Sequence, residues 1–321
     1  MRGAARTPPL ARAILRGDRR ALAKTITSIE EGDPAIGSVL RILYPHTGRA
    51  PVIGLTGPLG VGKSSLLSVL IGLLRERGKT VGVIAVDPSS PYTGGSVLGD
   101  RIRLERKAND DGVFFRSMAS RGEAGGVAAS TREVARLLDA AGFDVIFVET
   151  VGSGQVDVAI RGVATTSVVV LVPHLGDEVQ TLKAGLFEIA DVFCVNKADL
   201  PGADLAAKDL SELVALGAAR EGWAPVIVPT STTTLSGIEE LWRGIEAHER
   251  FLDQNGLRAV HERARLSAEI TDRVKDRVGR DVAARLDRDP DLRRLLDRLV
   301  AREIDPAGAA DELFRARYAK S

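Results

Sequence analysis

Gly57-Pro58-Leu59-Gly60-Val61-Gly62-Lys63-Ser64 is the stretch whose reading decides the fold. The apolar run Val52-Ile53-Gly54-Leu55 precedes it, and Leu66, Leu67, Leu70, Leu73 and Leu74 follow at helical spacing. A strand, a glycine-rich loop and a helix in that order form a phosphate cradle. The loop N–H groups turn inward, and the helix N-terminus adds partial positive charge. In the pattern G-x-x-x-x-G-K-[ST], Lys63 is expected at the β- and γ-phosphates and the Ser64 hydroxyl on Mg²⁺. Gly57, Gly60, Val61, Gly62 and Ser65 complete the expected contacts with a nucleoside triphosphate.

The base is specified about 130 residues later. Asp191-Val192-Phe193-Cys194-Val195 reads as a buried strand and ends in Asn196-Lys197-Ala198-Asp199. The Asp199 carboxylate can accept from both N1–H and the 2-amino group of guanine, a pairing that adenine does not offer. The aliphatic stem of Lys197 can lie over the base. A buried carboxylate left unpaired costs several kcal/mol, so this site is expected to hold GTP or GDP and to reject ATP.

Two further strand ends carry acids. Asp144-Val145-Ile146-Phe147-Val148-Glu149 is an apolar strand ending in a carboxylate, followed by Thr150-Val151-Gly152. That spacing places a water-mediated Mg²⁺ ligand, Glu149, beside a Gly152 N–H aimed at the γ-phosphate, which makes the segment a switch. The strand Val81 to Val86 leads into a polar segment from Asp87 to Asp100 with two prolines and three glycines. Asp87 and Asp100 are candidates for the Mg²⁺ shell or for activating the attacking water, and a loop this long in a compact domain is usually functional.

Composition sets limits on the class. The chain has 321 residues, 44% apolar and 27% charged, with a formal net charge of +1. That near-neutral balance gives no support for nucleic-acid binding. The single cysteine, Cys194, excludes a disulfide framework and suits a reducing, cytoplasmic setting. No apolar run approaches the roughly 18 residues of a membrane span, and residues 1–10 lack the apolar stretch of a secretory signal.

Three blocks are expected. Residues 1–48 form a helical extension with Leu10, Ile14 and Leu15 on one face, Asp18 as an N-cap, and Leu22, Ile26 and Ile29 continuing the stripe. Residues 49–250 form an α/β domain, a mostly parallel sheet covered by helices on both faces, with strands at 51–56, 80–86, 113–116, 144–149, 167–172, 191–195 and 225–229. Residues 251–321 are helical, with thin stripes from Ile270, Val274 and Val278 and from Leu292, Leu295, Leu296 and Leu299. Such stripes need the central domain or a second subunit to cover them.

Taken together, these motifs resemble the MeaB/ArgK family of P-loop GTPases, to which the methylmalonic aciduria type A protein belongs. The resemblance runs through Gly57–Ser65, Val86-Asp87-Pro88-Ser89-Ser90-Pro91 to Gly99-Asp100, and Glu149-Thr150-Val151-Gly152. It continues in Gly176-Asp177-Glu178-Val179-Gln180, Ile189-Ala190-Asp191, Asn196-Lys197-Ala198-Asp199 and Gly237-Ile238-Glu239-Glu240-Leu241-Trp242. Leu15 to Leu22 and Tyr44-Pro45-His46-Thr47-Gly48 extend it to the N-terminal block.

The resemblance implies a GTP-hydrolysing chaperone of an adenosylcobalamin-dependent acyl-CoA mutase, gating cofactor loading and protecting or reactivating the mutase. It implies Mg²⁺ held around Ser64, Asp87, Asp100 and Glu149, and Gln155 as a candidate for positioning water. Asn196, Lys197 and Asp199 would read guanine, and Ser231 and Thr232 would close over the base. A third switch facing the mutase would contain Pro173, His174, Gly176, Asp177 and Gln180. It also implies a homodimer through the C-terminal arm, with no cobalamin bound by this chain directly.

Three departures from the family pattern fall at Ser153-Gly154-Gln155-Val156-Asp157, Pro173-His174-Leu175 and Thr230-Ser231-Thr232-Thr233-Thr234. The alternatives weigh less. A nickel-type metallochaperone GTPase needs clustered Cys and His, whereas the four histidines here are dispersed. A signal-recognition GTPase needs a Met-rich groove, and there are two methionines. A kinase of transport-binding proteins would use ATP, against Asn196-Lys197-Ala198-Asp199.

Overall fold

Seven runs rich in Val, Ile, Leu and Phe pair into one sheet, every pair parallel. The computed structural model describes residues 8–87, 110–119, 124–150, 160–173, 184–217, 220–285 and 288–317. The strands are β1 (Val52–Thr56), β2 (Val81–Asp87), β3 (Val113–Ala119), β4 (Val145–Thr150), β5 (Thr166–Leu171), β6 (Val192–Val195) and β7 (Val226–Pro229), in the order β3-β2-β4-β1-β5-β6-β7. The expected "mostly parallel" sheet is entirely parallel. Six of the seven strands agree with the sequence-based spans to within about a residue at each end, and β3 runs three residues further than 116.

Alternation along the strands divides the core. Val145, Phe147, Val168, Val170, Val192 and Cys194 face one side with α4 (Lys63–Glu76) and a later helix, Ile238–Gln254. Ile146, Val148, Val169, Leu171, Phe193 and Val195 face the other side, with the helix Ala124–Ala140. A parallel sheet covered on both faces buries both sets, which is why its strands read as unbroken apolar runs.

The N-terminal helices belong to this second core. Ala11 and Ile14 of α1 (Pro9–Leu15), Leu22, Ile26 and Ile29 of α2 (Arg19–Glu31), and Val39 and Leu43 of α3 (Gly37–Leu43) are buried in it. Asp18 caps α2 as expected, its Oδ1 accepting from the Arg20 and Ala21 amides at 2.9 Å. The chain then enters β1 through a carboxylate clasp. Asp139, on α5 (Ala124–Ala140), accepts from the amides of Gly48, Arg49 and Ala50 at 2.5, 3.2 and 3.0 Å. This gives the Tyr44–Gly48 motif a physical role, because Gly48 is the first of those three donors.

Helices α6 (Ala184–Ile189), α7 (Ala203–Ala215) and α8 (Ile238–Gln254) complete the α/β part. The described chain falls into two compact units, 1–261 and 262–321. The second contains most of α9 (Leu257–Arg285) with α10 (Pro290–Val300) and α11 (Pro306–Arg317). Asp289 caps α10 by accepting from the Asp291 amide at 3.0 Å, and Leu292 is buried. Ile270 and Val274 on α9 are 63% and 56% exposed.

Candidate nucleotide site

Because every strand runs the same way, all the carboxyl ends emerge at one edge of the sheet. That edge is where open α/β folds bind ligands. It gathers the loop after β1, Glu149 at the end of β4, Asn196 after β6 and Thr230-Ser231 after β7.

The phosphate loop is fixed by its glycines. Gly57 has φ +139°, and a Cβ there would stand 2.1 Å from the Val170 carbonyl oxygen of β5. Gly62 has φ +91°, and a Cβ would stand 2.6 Å from Asn196 Nδ2. Neither position admits a side chain, for reasons of both conformation and space. The helix α4 therefore begins on a glycine with no side-chain cap. The buried Lys63 ammonium donates to the carbonyls of Gly57 at 2.7 Å and Pro58 at 2.8 Å, which holds the positive charge inside the loop.

Ser64 Oγ donates to Glu149 Oε1 at 2.5 Å. A hydroxyl and a carboxylate oxygen meeting at the mouth of a phosphate loop are hard donors of the type Mg²⁺ takes, so these two residues fit that ion. Ser65 lies in the first turn of α4. Thr150 Oγ1 donates to Thr56 Oγ1 at 2.9 Å and ties the ends of β4 and β1. The backbone of Asp87 ends β2 at the same edge, paired with Ala119, but its side chain lies outside the described residues. So do Asp100, Gly152, Gln155, His174, Gly176, Asp177 and Gln180, while Pro173 is described and buried.

The residues expected to read the base are locked to the phosphate loop. Asn196 Nδ2 donates to the Val61 carbonyl at 2.8 Å, and Lys197 Nζ donates to the Gly60 carbonyl at 2.9 Å. Lys197 adopts φ +57°, unusual for a side-chain-bearing residue and consistent with a constrained site. Ser231 Oγ donates to Asp199 Oδ1 at 2.5 Å while accepting from the amides of Thr233 at 3.3 Å and Thr234 at 3.2 Å. The hydroxyl thus fixes one oxygen of the carboxylate expected to read guanine. Thr232 sits in the turn that follows Ser231.

Thr230 is the residue that sequence reasoning missed. Its fully buried hydroxyl donates to Asn196 Oδ1 at 3.2 Å. An amide oxygen can only accept, so the Thr230 proton is committed there and the Cys194 thiol, 3.0 Å away, is the donor to Thr230 Oγ1. Burial pushes the Cys194 thiol up to about 12, with the Thr230 contact opposing, so the group stays a neutral donor. The core cysteine expected from sequence therefore also ends a hydrogen-bond chain running to Val61. Nothing local signals it, because the chain depends on β6 and β7 being neighbours.

A family model described as "Methylmalonyl Co-A mutase-associated GTPase MeaB" matches residues 22–287. This chain belongs to the MeaB family of GTPases. It is 46% identical over 303 residues to PH0274 of Pyrococcus horikoshii, covering 93% of this chain and 94% of that one. It is 36% identical to GTPase ArgK of Escherichia coli, covering 76% of each. The mouse methylmalonic aciduria type A homolog, described as mitochondrial, is 29% identical over 94% of this chain and 77% of its own length. Among solved structures, one titled "Crystal structure of LAO/AO transport system kinase" superposes with a TM-score of 0.72 at 25% identity, covering 97% of both chains. The MeaB match spans the phosphate loop, the carboxylate strand end, the guanine motif and all of α9.

Proposed function

We propose that this MeaB-family GTPase uses GTP hydrolysis to gate cofactor loading into an adenosylcobalamin-dependent acyl-CoA mutase, and to protect or reactivate that enzyme. The observation that carries the reading is the match of residues 22–287 to the mutase-associated family, which takes in every expected switch as well as the nucleotide loops. Ser64 and Glu149 hold Mg²⁺ in this scheme, joined by Asp87 and Asp100. Bound Mg²⁺ neutralises charge on the β- and γ-phosphates. Gln155 orients the attacking water, and the Gly152 amide meets the γ-phosphate.

The division into a helical extension 1–48, a GTPase domain 49–250 and an arm 251–321 follows the same reading. The exposed Ile270 and Val274 support a homodimer through the arm, since an apolar stripe on a long helix calls for cover. No described helix is long and apolar enough to cross a membrane. We assign the protein to the cytoplasm, without nucleic-acid partners.

Phosphoryl transfer depends on positioning, and a constellation completed by a partner is slow alone. The isolated protein is therefore expected to hydrolyse GTP slowly, and the cognate mutase to accelerate it. Substituting Asp177 or Gln180 should reduce that acceleration more than it reduces basal turnover. Phosphate release with and without mutase, for wild type and each variant, checks this. Equal losses in both conditions would place the third switch in basal catalysis and remove its coupling role.

A further inference from the structure

Three strands that carry the nucleotide site end side by side, and a buried pair of hydroxyls joins two of them. β1 leads into the phosphate loop, β4 carries Glu149 at its end, and β2 ends on Asp87. Backbone pairing of β1 with β4 runs from Val52 opposite Ile146 to Leu55 opposite Glu149. One step further, Thr150 Oγ1 donates to Thr56 Oγ1 at 2.9 Å. On its other side Thr150 is paired with Val86 of β2, the residue before Asp87. The hydroxyl bridge thus extends the pairing of β1 and β4 to the point where the phosphate loop begins.

Alternation puts the bridge and the acid on opposite faces of β4. Val148 belongs to the core beneath α5, so Thr150, two residues on, points the same way. Glu149 lies on the face of Phe147, which α4 covers, and there its Oε1 accepts from Ser64 at 2.5 Å. Thr56 and Thr150 are 0% and 2% exposed, so each hydroxyl has left water and needs bonds inside the protein. A valine at either position would fill nearly the same volume without that need. Gly57 lies against β5 on the other side, where a Cβ would stand 2.1 Å from the Val170 carbonyl oxygen. The start of the loop is therefore held from both sides, by β5 at Gly57 and by β4 at Thr56.

We propose that the Thr56–Thr150 bridge is a positioning contact for Mg²⁺: by fixing the ends of β1 and β4 against each other, it fixes Ser64 relative to Glu149. The proposal rests on the reading that those two residues hold the ion. Ser64 reaches its place through the loop that starts after Thr56, and Glu149 is joined to Thr150 by one peptide bond. A change in the separation of the two strand ends passes directly to the two Mg²⁺ donors. Mg²⁺ takes oxygen ligands at about 2.0–2.1 Å in near-ideal octahedral geometry, so small displacements weaken its binding. Nucleotide held without Mg²⁺ relies on the loop amides, Lys63 and the guanine motif, none of which belongs to β4.

The test uses the full-length protein and a fluorescent, non-hydrolysable GTP analogue, titrated in Mg²⁺ and again in excess EDTA. The ratio of the two affinities reports what the ion contributes. In Thr150→Val that ratio should fall about fivefold, the worth of one neutral hydrogen bond, while affinity in EDTA stays within about twofold of wild type. Thr56→Val should do the same. The double variant should lose no more than either single one, because the same bond is broken in all three. Thr150→Ser keeps the hydroxyl and should keep the ratio.

An unchanged ratio in Thr150→Val, or an equal loss with and without Mg²⁺, would overturn the proposal. So would a double variant that loses the product of the two single effects, or a serine variant as defective as the valine. Glu149→Gln separates the two layers. A ratio lowered there but not in Thr150→Val leaves the Mg²⁺ reading standing and sinks the bridge. A ratio unmoved by Glu149→Gln removes that reading and the proposal with it. Should Thr150→Val fail to fold, Thr56→Val and Thr56→Ser make the same test from β1.

Discussion

Lys63→Ala is expected to lower GTP hydrolysis at least tenfold, about 1.4 kcal/mol in the barrier. Lys63 is buried inside the loop, its ammonium donating to the Gly57 and Pro58 carbonyls at 2.7 and 2.8 Å. Both acceptors are neutral, so a β,γ-phosphate with several negative charges competes for that ammonium on favourable terms. The interaction strengthens as charge develops in transfer, which places the loss in turnover. Phosphate release under saturating GTP measures it, and retained turnover would mean that this loop is not the active site. The sheet should survive, because Gly57 and Gly62, which shape the loop, are untouched.

Asp199→Asn is expected to weaken GTP and favour xanthosine triphosphate. Ser231 Oγ fixes Oδ1 of Asp199 at 2.5 Å, and the Thr233 and Thr234 amides hold that hydroxyl in turn. The carboxylate is thereby oriented before the base arrives, and little ordering remains to oppose binding. An amide there offers a donor to the 2-oxo group of xanthine and loses an acceptor for the amino group of guanine. Buried polar mismatches of this kind discriminate strongly. Competition between the two triphosphates on the variant reads the change, and a continued preference for GTP would show that Asp199 does not read the base.

Much of this was legible in the sequence, for physical reasons. Parallel strands covered on both faces are apolar throughout, so six of the seven strands stood out with nearly correct ends. The end of β3 did not, because Arg116 interrupts its apolar pattern. That side chain shares the strand face of Phe114 and Met118, and its charge is met by Glu30 of α2. The phosphate and guanine motifs are local, each on one loop, and their residues do converge on one edge of the sheet.

What stayed hidden depends on pairs distant in sequence. Thr230 matters because β7 lies beside β6, and Asp139 because α5 meets the entry to β1. Thr56 and Thr150 lie 94 residues apart and meet only when β4 pairs with β1. The resemblance supplied Thr150 as part of a motif but not its partner.

The bonds from Asn196 to Val61 and from Lys197 to Gly60 join the phosphate loop to Asn196-Lys197-Ala198-Asp199, and we propose that together they form one guanine-selective site. Equilibrium displacement of a labelled, non-hydrolysable GTP analogue from the full-length protein with Mg²⁺ tests it most directly. Unlabelled GTP and GDP are predicted to chase the label, and ATP at the same concentration to leave it bound. Displacement by ATP as effective as by GTP would show that the two loops do not form a guanine-selective site.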